Sequence, residues 1–331
     1  MRTAFRWWRP GFAMLALLST LGLAGASMAD TTGLLRGKHI IFVEPYGPGS
    51  ATNLPVALLQ AELASKTGAS IEVRSVGGRA GGTTLDYLIN PPAAVKGSLV
   101  FGVLDVTGRL LAEMAGGRPR LLERVQPVAL LSTGASAALV VSDKSPIKSI
   151  DDFLNEAHKK QLRLVDLGRK AAFGIEVAML EKSFGLRFAD KVVSTRAQIL
   201  AALASGEADA GFLVTYTLLP SPAAPAPPVR PILTFGAEPN PDFVVPTLKQ
   251  RARDPKAGIS SSIAVFAPHD MPKEIADALE AAMAEVGDDP EIQQAATERH
   301  FPLEVQPAAA VLDAMKRSAR VIKDNEDYIN R

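Results

Sequence analysis

The chain has 331 residues, with 36 Lys plus Arg against 35 Asp plus Glu, 26 Gly, 24 Pro and no Cys. That length suits one large or two ordinary domains, and 47% hydrophobic against 21% charged residues excludes global disorder. A net charge of +1 supplies no field for gripping nucleic acid. The lack of cysteine excludes disulfides, thiolate zinc sites, iron–sulfur clusters, cysteine nucleophiles and the cysteine that a lipoprotein anchor requires.

Residues 1–29 read as an export address. Arg2, Arg6 and Arg9 form a basic start without an acid, an apolar run follows from Gly11 to about Ala26, and Ala26, Ser27, Met28 and Ala29 close it with mostly small residues. This is the layout of a secretory signal peptide, with cleavage expected after Ala29, or alternatively after Ala26. The apolar run is short for a membrane span of about 20 residues; an uncleaved anchor is the competing reading. Removing the segment leaves 33 basic against 35 acidic residues, so the mature chain stands at −2. With no second apolar stretch of spanning length, the mature protein is expected to be soluble, unanchored and periplasmic.

From residue 38 onward the pattern alternates between strand and helix. His39–Val43 reads as a strand and 52–66 as a helix, with Leu54, Leu58, Leu59 and Leu63 at helical spacing. Strand at 71–76 and helix at 83–89 follow, then strand at 99–103 and helix at 108–115. Two strands come next, 125–131 and 138–141. The alternation resumes with helix 150–159, strand 162–167, helix 173–184, helix 196–205 and strand 208–214. A strand at 263–267 precedes helices at 273–286, 290–298 and 308–325. Elements alternating at this length predict an α/β fold with parallel sheets covered by helices. Nine of the 24 prolines fall between Pro220 and Pro246. Proline removes a backbone donor and fixes φ, so this stretch is expected to be an extended connector, neither helix nor central strand.

Several catalytic and nucleotide-binding patterns fail. Gly77-Gly78-Arg79-Ala80-Gly81-Gly82 follows a strand and opens a helix, but Arg79 stands where a dinucleotide fingerprint needs its second glycine. The stretch from Gly33 to Lys38 is one residue too short for a P-loop, and His39 replaces its Ser or Thr. His39, His158, His269 and His300 show no metal-ligand spacing. No G-x-S-x-G elbow supports a Ser–His–Asp triad. The expectation is no enzyme, no metal and no cofactor.

Two glycine-rich turns each join a strand to a helix: Pro45 to Asn53, and Gly78 to Gly82. Glycine allows a tight turn and a close ligand approach, and a helix N-terminus offers unpaired N–H groups with a partial positive charge. Such junctions can hold a carboxylate or phosphate without a cationic side chain.

Together these turns resemble the tripartite tricarboxylate transporter receptor family, the Bug-type extracytoplasmic solute receptors. The family's first loop, Pro-Tyr followed by a Pro- and Gly-rich run ending in Thr-Asp, is matched by Pro45 to Asn53. Its Gly-Ala-Gly-Gly loop is matched by Arg79-Ala80-Gly81-Gly82. Gln126 to Leu131, Gly206-Glu207-Ala208-Asp209, and the run from Ala264 to Pro268 followed by Met271 to Glu274 echo three further blocks. The resemblance covers residues 38–325.

It implies a two-lobed periplasmic solute-binding fold, type II-like, with two parallel-sheet lobes, a hinge and a ligand cleft. Lobe one would hold 30–138 plus 244–331. Lobe two would hold 139–243, including the proline-rich connector at 220–241. A monomer would capture a carboxylated small molecule and deliver it to membrane permease subunits; presentation to a sensor kinase, or a diverged interaction role without transport, is the alternative. In lobe one the ligand-binding residues implied are Tyr46, Gly49, Ser50, Thr52, Asn53, Arg79, Ala80, Gly81 and Gly82, with Asp105 and Thr107. In lobe two they are Arg169, Lys170, Ala171, Phe173, Arg196 and Thr215.

Departures from the family fall at this set. Asn53 replaces a usual Asp. The hydroxyl-rich loop before a lobe-two helix is replaced by Ala171, Ala172 and Phe173, with Arg169 and Lys170 added. Leu213 and Val214 stand where Asp or Asn is common, and Arg196 replaces a small residue. Four cations (Arg79, Arg169, Lys170 and Arg196) are therefore expected around the cleft, which suggests a ligand with more negative charge or more apolar surface than a small amino acid.

Overall fold

The structure is a computed structural model describing residues 31–114, 120–171, 173–222 and 224–330. The expected export segment and Ala172 lie outside the described residues. Among the described residues the strands are β1 (His39–Glu44), β2 (Ser70–Ser75), β3 (Leu99–Asp105), β4 (Val125–Ala135), β5 (Ala137–Ser142), β6 (Arg163–Asp166), β7 (Ala189–Val192), β8 (Ala210–Val214), β9 (Val229–Thr234), β10 (Ser261–Pro268) and β11 (Gln306–Pro307). The α-helices among the described residues are α1 (Asn53–Thr67), α2 (Gly82–Ile89), α3 (Val106–Met114), α4 (Leu121–Arg124), α5 (Ile150–Lys159), α6 (Gly174–Phe184), α7 (Arg196–Ser205), α8 (Leu248–Ala252), α9 (Lys273–Gly287), α10 (Pro290–Thr297), α11 (Ala308–Asp324) and α12 (Glu326–Ile329).

The strands form two sheets. One has the order β11-β4-β10-β3-β1-β2 and the other β7-β6-β8-β5-β9. The apolar run of β1 has a direct cause in this layering. Ile40 and Phe42 enter the core under α1 and α9, while Ile41 and Val43 enter the core on the opposite face, under α2, α3 and α11. A strand buried on both faces loses the polar alternation of a surface strand, and each such side chain contributes about 1.5–3 kcal/mol on burial. β10 follows the same rule, with Ala264 and Phe266 on one face and Ile263, Val265 and Ala267 on the other.

The α/β, two-lobed expectation holds, but the sheets are mixed, not all parallel. β1, β2 and β3 are parallel, while β10 is antiparallel to both β3 and β4. In the second sheet β6, β7 and β8 are parallel, and β5 is antiparallel to β8 and β9. The crossings between sheets explain both exceptions. The chain passes from β4 to β5 through Ser136 alone. A strand leaving the carboxyl end of one sheet enters the next sheet head-on, so it runs against that sheet's neighbours. The return into β10 repeats the geometry.

The proline-rich stretch is more than a connector. It contains β9, an edge strand, and Pro231 sits where the β5–β9 register shifts between Leu139 and Val140. An edge position beside a bulge is where a sheet tolerates a residue without an N–H. The segment after β9 stays with the second sheet beyond residue 243. Thr247 bridges Thr234, the Ile259 N–H donates to the Phe235 carbonyl at 2.7 Å, and α8 packs on α6. At the C-terminus α11 lies on β4 and α3, while α12 lies on α6.

Candidate functional site: a cavity between the two sheets

A cavity of about 840 Å³ opens where the carboxyl ends of both sheets meet. Its first-sheet wall comes from the turns after β1 and β2, Asp105 at the end of β3, and Ser261 and Ile263 of β10. Its second-sheet wall comes from Leu167, Ala171 and Phe173 after β6, from Val192 at the end of β7 through Arg196, and from Leu213 and Val214 at the end of β8 with Tyr216 and Thr217 after it. Ser136 closes the hinge side. Loops at strand carboxyl ends are where open α/β sheets bind ligands.

The first turn is built around a carboxylate that sequence reading missed. Glu44, fully buried at the end of β1, accepts the N–H of Tyr46 at 2.8 Å and of Gly47 at 3.0 Å. It also accepts the hydroxyl of Thr52 at 3.0 Å, that of Ser50 at 3.4 Å, the Asn53 amide at 3.5 Å, and the Ser75 hydroxyl. Further turn donors close on the loop itself: Ser50 N–H reaches Gly47 O at 3.1 Å, Asn53 and Leu54 N–H reach Ser50 O at 3.2 and 2.9 Å, and Gly49 N–H reaches the Asn53 side-chain oxygen at 3.4 Å. Part of the donor set expected to meet a ligand carboxylate is therefore taken up internally. The second turn packs on the first; a Cβ at Gly77 would lie 2.7 Å from the Pro45 carbonyl oxygen. Its backbone runs through positive φ at Gly78, Arg79, Ala80 and Gly81. Gly77, Gly78, Arg79 and Ala80 line the cavity.

Asp105 marks the first-sheet wall. Its carboxylate accepts the Thr107 N–H at 3.0 Å, and burial pushes its pKa up to about 6 against the pull of the Gly108 and Thr107 N–H groups and the Ser261 hydroxyl. Facing it from α6 is Glu176, buried, with one oxygen lacking a hydrogen-bond partner among the described residues. Burial, with a smaller push from the charge of Asp105, raises Glu176 to about 8.

The four expected cations divide by their partners. Arg169 lies off the cavity. Its guanidinium grips Glu181 at 2.7 and 2.8 Å and Asp190 at 2.6 and 3.2 Å, and reaches the Tyr328 carbonyl of α12 at 3.4 Å. Lys170 is exposed and off the cavity wall. Arg79 lines the cavity but pairs with Asp86, which Arg124 also contacts at 3.0 Å. Arg196 opens α7 on the cavity wall, and its Nη2 donates to the Thr217 carbonyl at 3.0 Å. Among the described residues no carboxylate pairs with it, and partial burial holds it below the ordinary arginine value.

Of the other sequence candidates, Tyr46, Gly49, Ser50, Thr52, Ala80, Ala171 and Phe173 line the cavity. Phe173 does so from a left-handed backbone (φ 72°), with its ring stacked 6.0 Å from Phe212. Asn53, Gly81, Gly82, Thr107 and Thr215 do not line it. Thr107 binds Ser318 at 2.8 Å, tying α3 to α11, and Thr215 donates its N–H to the Ser136 carbonyl at the hinge at 2.9 Å. The sequence reading missed Ser136, Ser194, Thr195, Tyr216, Thr217, Ser261, Ile263 and Arg299, all cavity-lining. Tyr216 is the most informative. Its hydroxyl donates to the Gly49 carbonyl at 3.1 Å and its ring stands edge-on to Phe301 at 5.3 Å, so a second-sheet residue is anchored in the first lobe. A Tyr directly after a strand predicted to reach the cleft was the available signal.

Among the described residues no helix is long and apolar enough to cross a membrane, and no group of three or more His, Asp or Glu could hold a metal.

Two sheets joined through a hinge, with a cavity at their carboxyl ends, define a two-lobed solute-binding protein. A profile of the tripartite tricarboxylate transporter family receptor matches residues 120–326, and the chain belongs to that family. Among solved structures it is similar to a solute-binding protein of this family from Polaromonas, with 19% identity over 88% of this chain and 97% of that one, at a TM-score of 0.61. It is similar to MatC of Rhodopseudomonas palustris with bound malate, with 23% identity over 86% and 99% of the two chains and a TM-score of 0.66. An R. palustris protein with adipate matches at 20% identity over 86% and 96%, with a TM-score of 0.71. No curated protein matches the chain by sequence.

Proposed function

We propose that the chain is an exported, periplasmic receptor that captures a carboxylated small molecule between its lobes and hands it, unaltered, to a membrane permease. The basic–apolar–small segment at 1–29 supports export. The family membership supports the receptor role.

The observation that carries the ligand chemistry is Arg196. It is a cation on the wall of an 840 Å³ cavity, at the N-terminus of a ten-residue helix, without an acidic partner among the described residues. Thr195 caps that helix through the Gln198 N–H at 3.3 Å, and Ser194 lies beside it on the wall. A guanidinium and a helix N-terminus together suit one carboxylate. Leu54, Leu167, Val193, Ile199, Leu213 and Ile263 give the cavity apolar walls for the body of the ligand.

The test is calorimetric titration of the mature chain with a panel of organic acids and a neutral sugar. At least one acid is expected to bind, and Arg196→Gln is expected to weaken it about 10- to 100-fold, the value of one charge-assisted contact. Binding of the sugar alone, or acid binding indifferent to Arg196→Gln, would sink the reading.

A further inference from the structure

We infer that Arg299 adds a full positive charge to the first-lobe wall and makes the cleft select ligands with two anionic groups, one for Arg299 and one for Arg196 of the other lobe. The inference rests on the carboxylate-receptor reading above and narrows its ligand class. Arg299 adds to the backbone donors of the two turns and does not displace them.

Arg299 follows α10 and is half-buried on the cavity wall. Its Nη1 donates to the Ala295 carbonyl at 2.8 Å, at the end of that helix, and among the described residues no acid pairs with it. Glu298, beside it in the chain, accepts the Gln294 amide at 3.0 Å. Two contacts place Arg299 by the first turn. Helix α10 packs on α1, the helix that this turn opens. Phe301, two residues on, meets the Tyr216 ring, whose hydroxyl donates to the Gly49 carbonyl of the turn. Arg196 comes to the same residue from the second lobe, donating to the carbonyl of its neighbour Thr217. The two guanidiniums therefore enter one cavity from opposite lobes, around a residue that bridges those lobes. The other charged residues of the wall already have partners. Arg79 pairs with Asp86, and Asp105 accepts the Thr107 N–H at 3.0 Å with help from the Gly108 N–H and the Ser261 hydroxyl. A ligand with one anionic group leaves one of the two guanidiniums uncompensated in a partly dry cavity, where charge interactions are strong. A ligand anionic at both ends meets both cations and ties the lobes together. The apolar lining, which includes Leu54, Ile199 and Leu213, suits an uncharged spacer between those ends.

Length-matched acids test this by calorimetry on the mature chain at pH 7.5: hexanedioate against hexanoate, octanedioate against octanoate, and terephthalate against benzoate. In at least one pair the diacid is expected to bind about ten-fold or more tightly than its monoacid, the value of one charge-assisted contact. Arg299→Gln, checked for folding by circular dichroism and melting, is expected to remove most of that preference, and Arg299→Lys to restore part of it. Should the Gln variant not fold, Arg299→Met gives the same comparison. Monoacid binding equal to or tighter than diacid binding in every pair, and lost in Arg196→Gln, overturns the inference while leaving the receptor reading intact. A diacid preference that survives unchanged when the Arg299 charge is removed, yet falls in Arg196→Gln, does the same. Binding of none of the six acids overturns both.

Discussion

Arg169 and Arg196 are two arginines of the same lobe, each following a strand and preceding or opening a helix, and they do opposite things. Arg169 is locked by Glu181, Asp190 and the Tyr328 carbonyl, so it holds α12 against the second lobe. Arg196 meets a neutral carbonyl and, among the described residues, no acid, and it lines the cavity. A cation near a cleft is a ligand contact only when the fold has not already neutralised it. The same lesson holds on the first-lobe wall of the cavity. That wall looked like an anion cradle, yet Glu44 takes up part of its donor set.

The largest effect that would sharpen this comparison is in stability. Arg169→Gln leaves the carboxylate of Glu181, which is 2% exposed, without its cation. Breaking a buried pair costs about 3–5 kcal/mol, which corresponds to a Tm lower by about 5–10 °C in a chain of this size. Ligand affinity should hardly change. Arg196→Gln should do the reverse, with affinity lost and Tm kept. A Tm loss for Arg196→Gln as large as that for Arg169→Gln would erase the distinction.

Acidity gives the next effect. Glu176 titrates at about 8 in the folded chain against an ordinary value of 4.5. Because the folded state holds the proton more tightly across that interval, stability is fully present below about pH 4.5 and falls as the pH rises toward about 8. Glu176→Gln should flatten this part of the pH–Tm profile. Asp105 and Asp166, each raised to about 6 mainly by burial, would keep a weaker slope at lower pH. An unchanged profile in Glu176→Gln would assign the slope elsewhere.

Tyr216→Phe should have the smallest effect. It keeps the ring against Phe301 and removes one cross-lobe hydrogen bond to Gly49, worth about 1 kcal/mol. A Tm shift of about 2 °C or less is expected, with faster ligand release by stopped flow. Release unchanged from the native chain would remove Tyr216 from the closure of the cleft.

Elements buried on both faces, such as β1, β3 and β10, were legible because their burial writes a continuous apolar run. α5 was legible from Ile150 to Lys159 because Ser149 and Asp152 form a capping box at its start. β7 was missed because its alternating exposure resembles a loop, and β9 because proline argues against a strand unless an edge and a bulge receive it. The order of α and β elements carried the α/β class, and the resemblance to the receptor family carried the two-lobed fold. The antiparallel course of β5 and β10 depends on where the chain crosses between sheets, which local sequence does not record.

The sequence by itself determined the alternating elements, the two glycine turns and the receptor-family likeness, because each is written in local composition or spacing. Only the tertiary structure decided which polar groups the ligand can reach. Glu44 and Ser75 meet across 31 residues, Arg169 and Tyr328 across 159, and Tyr216 and Gly49 across 167. Each of those contacts satisfies a donor or a charge through a partner remote in the chain. Arg196 acquired its place by the opposite route, since among the described residues no acid folds back to neutralise it.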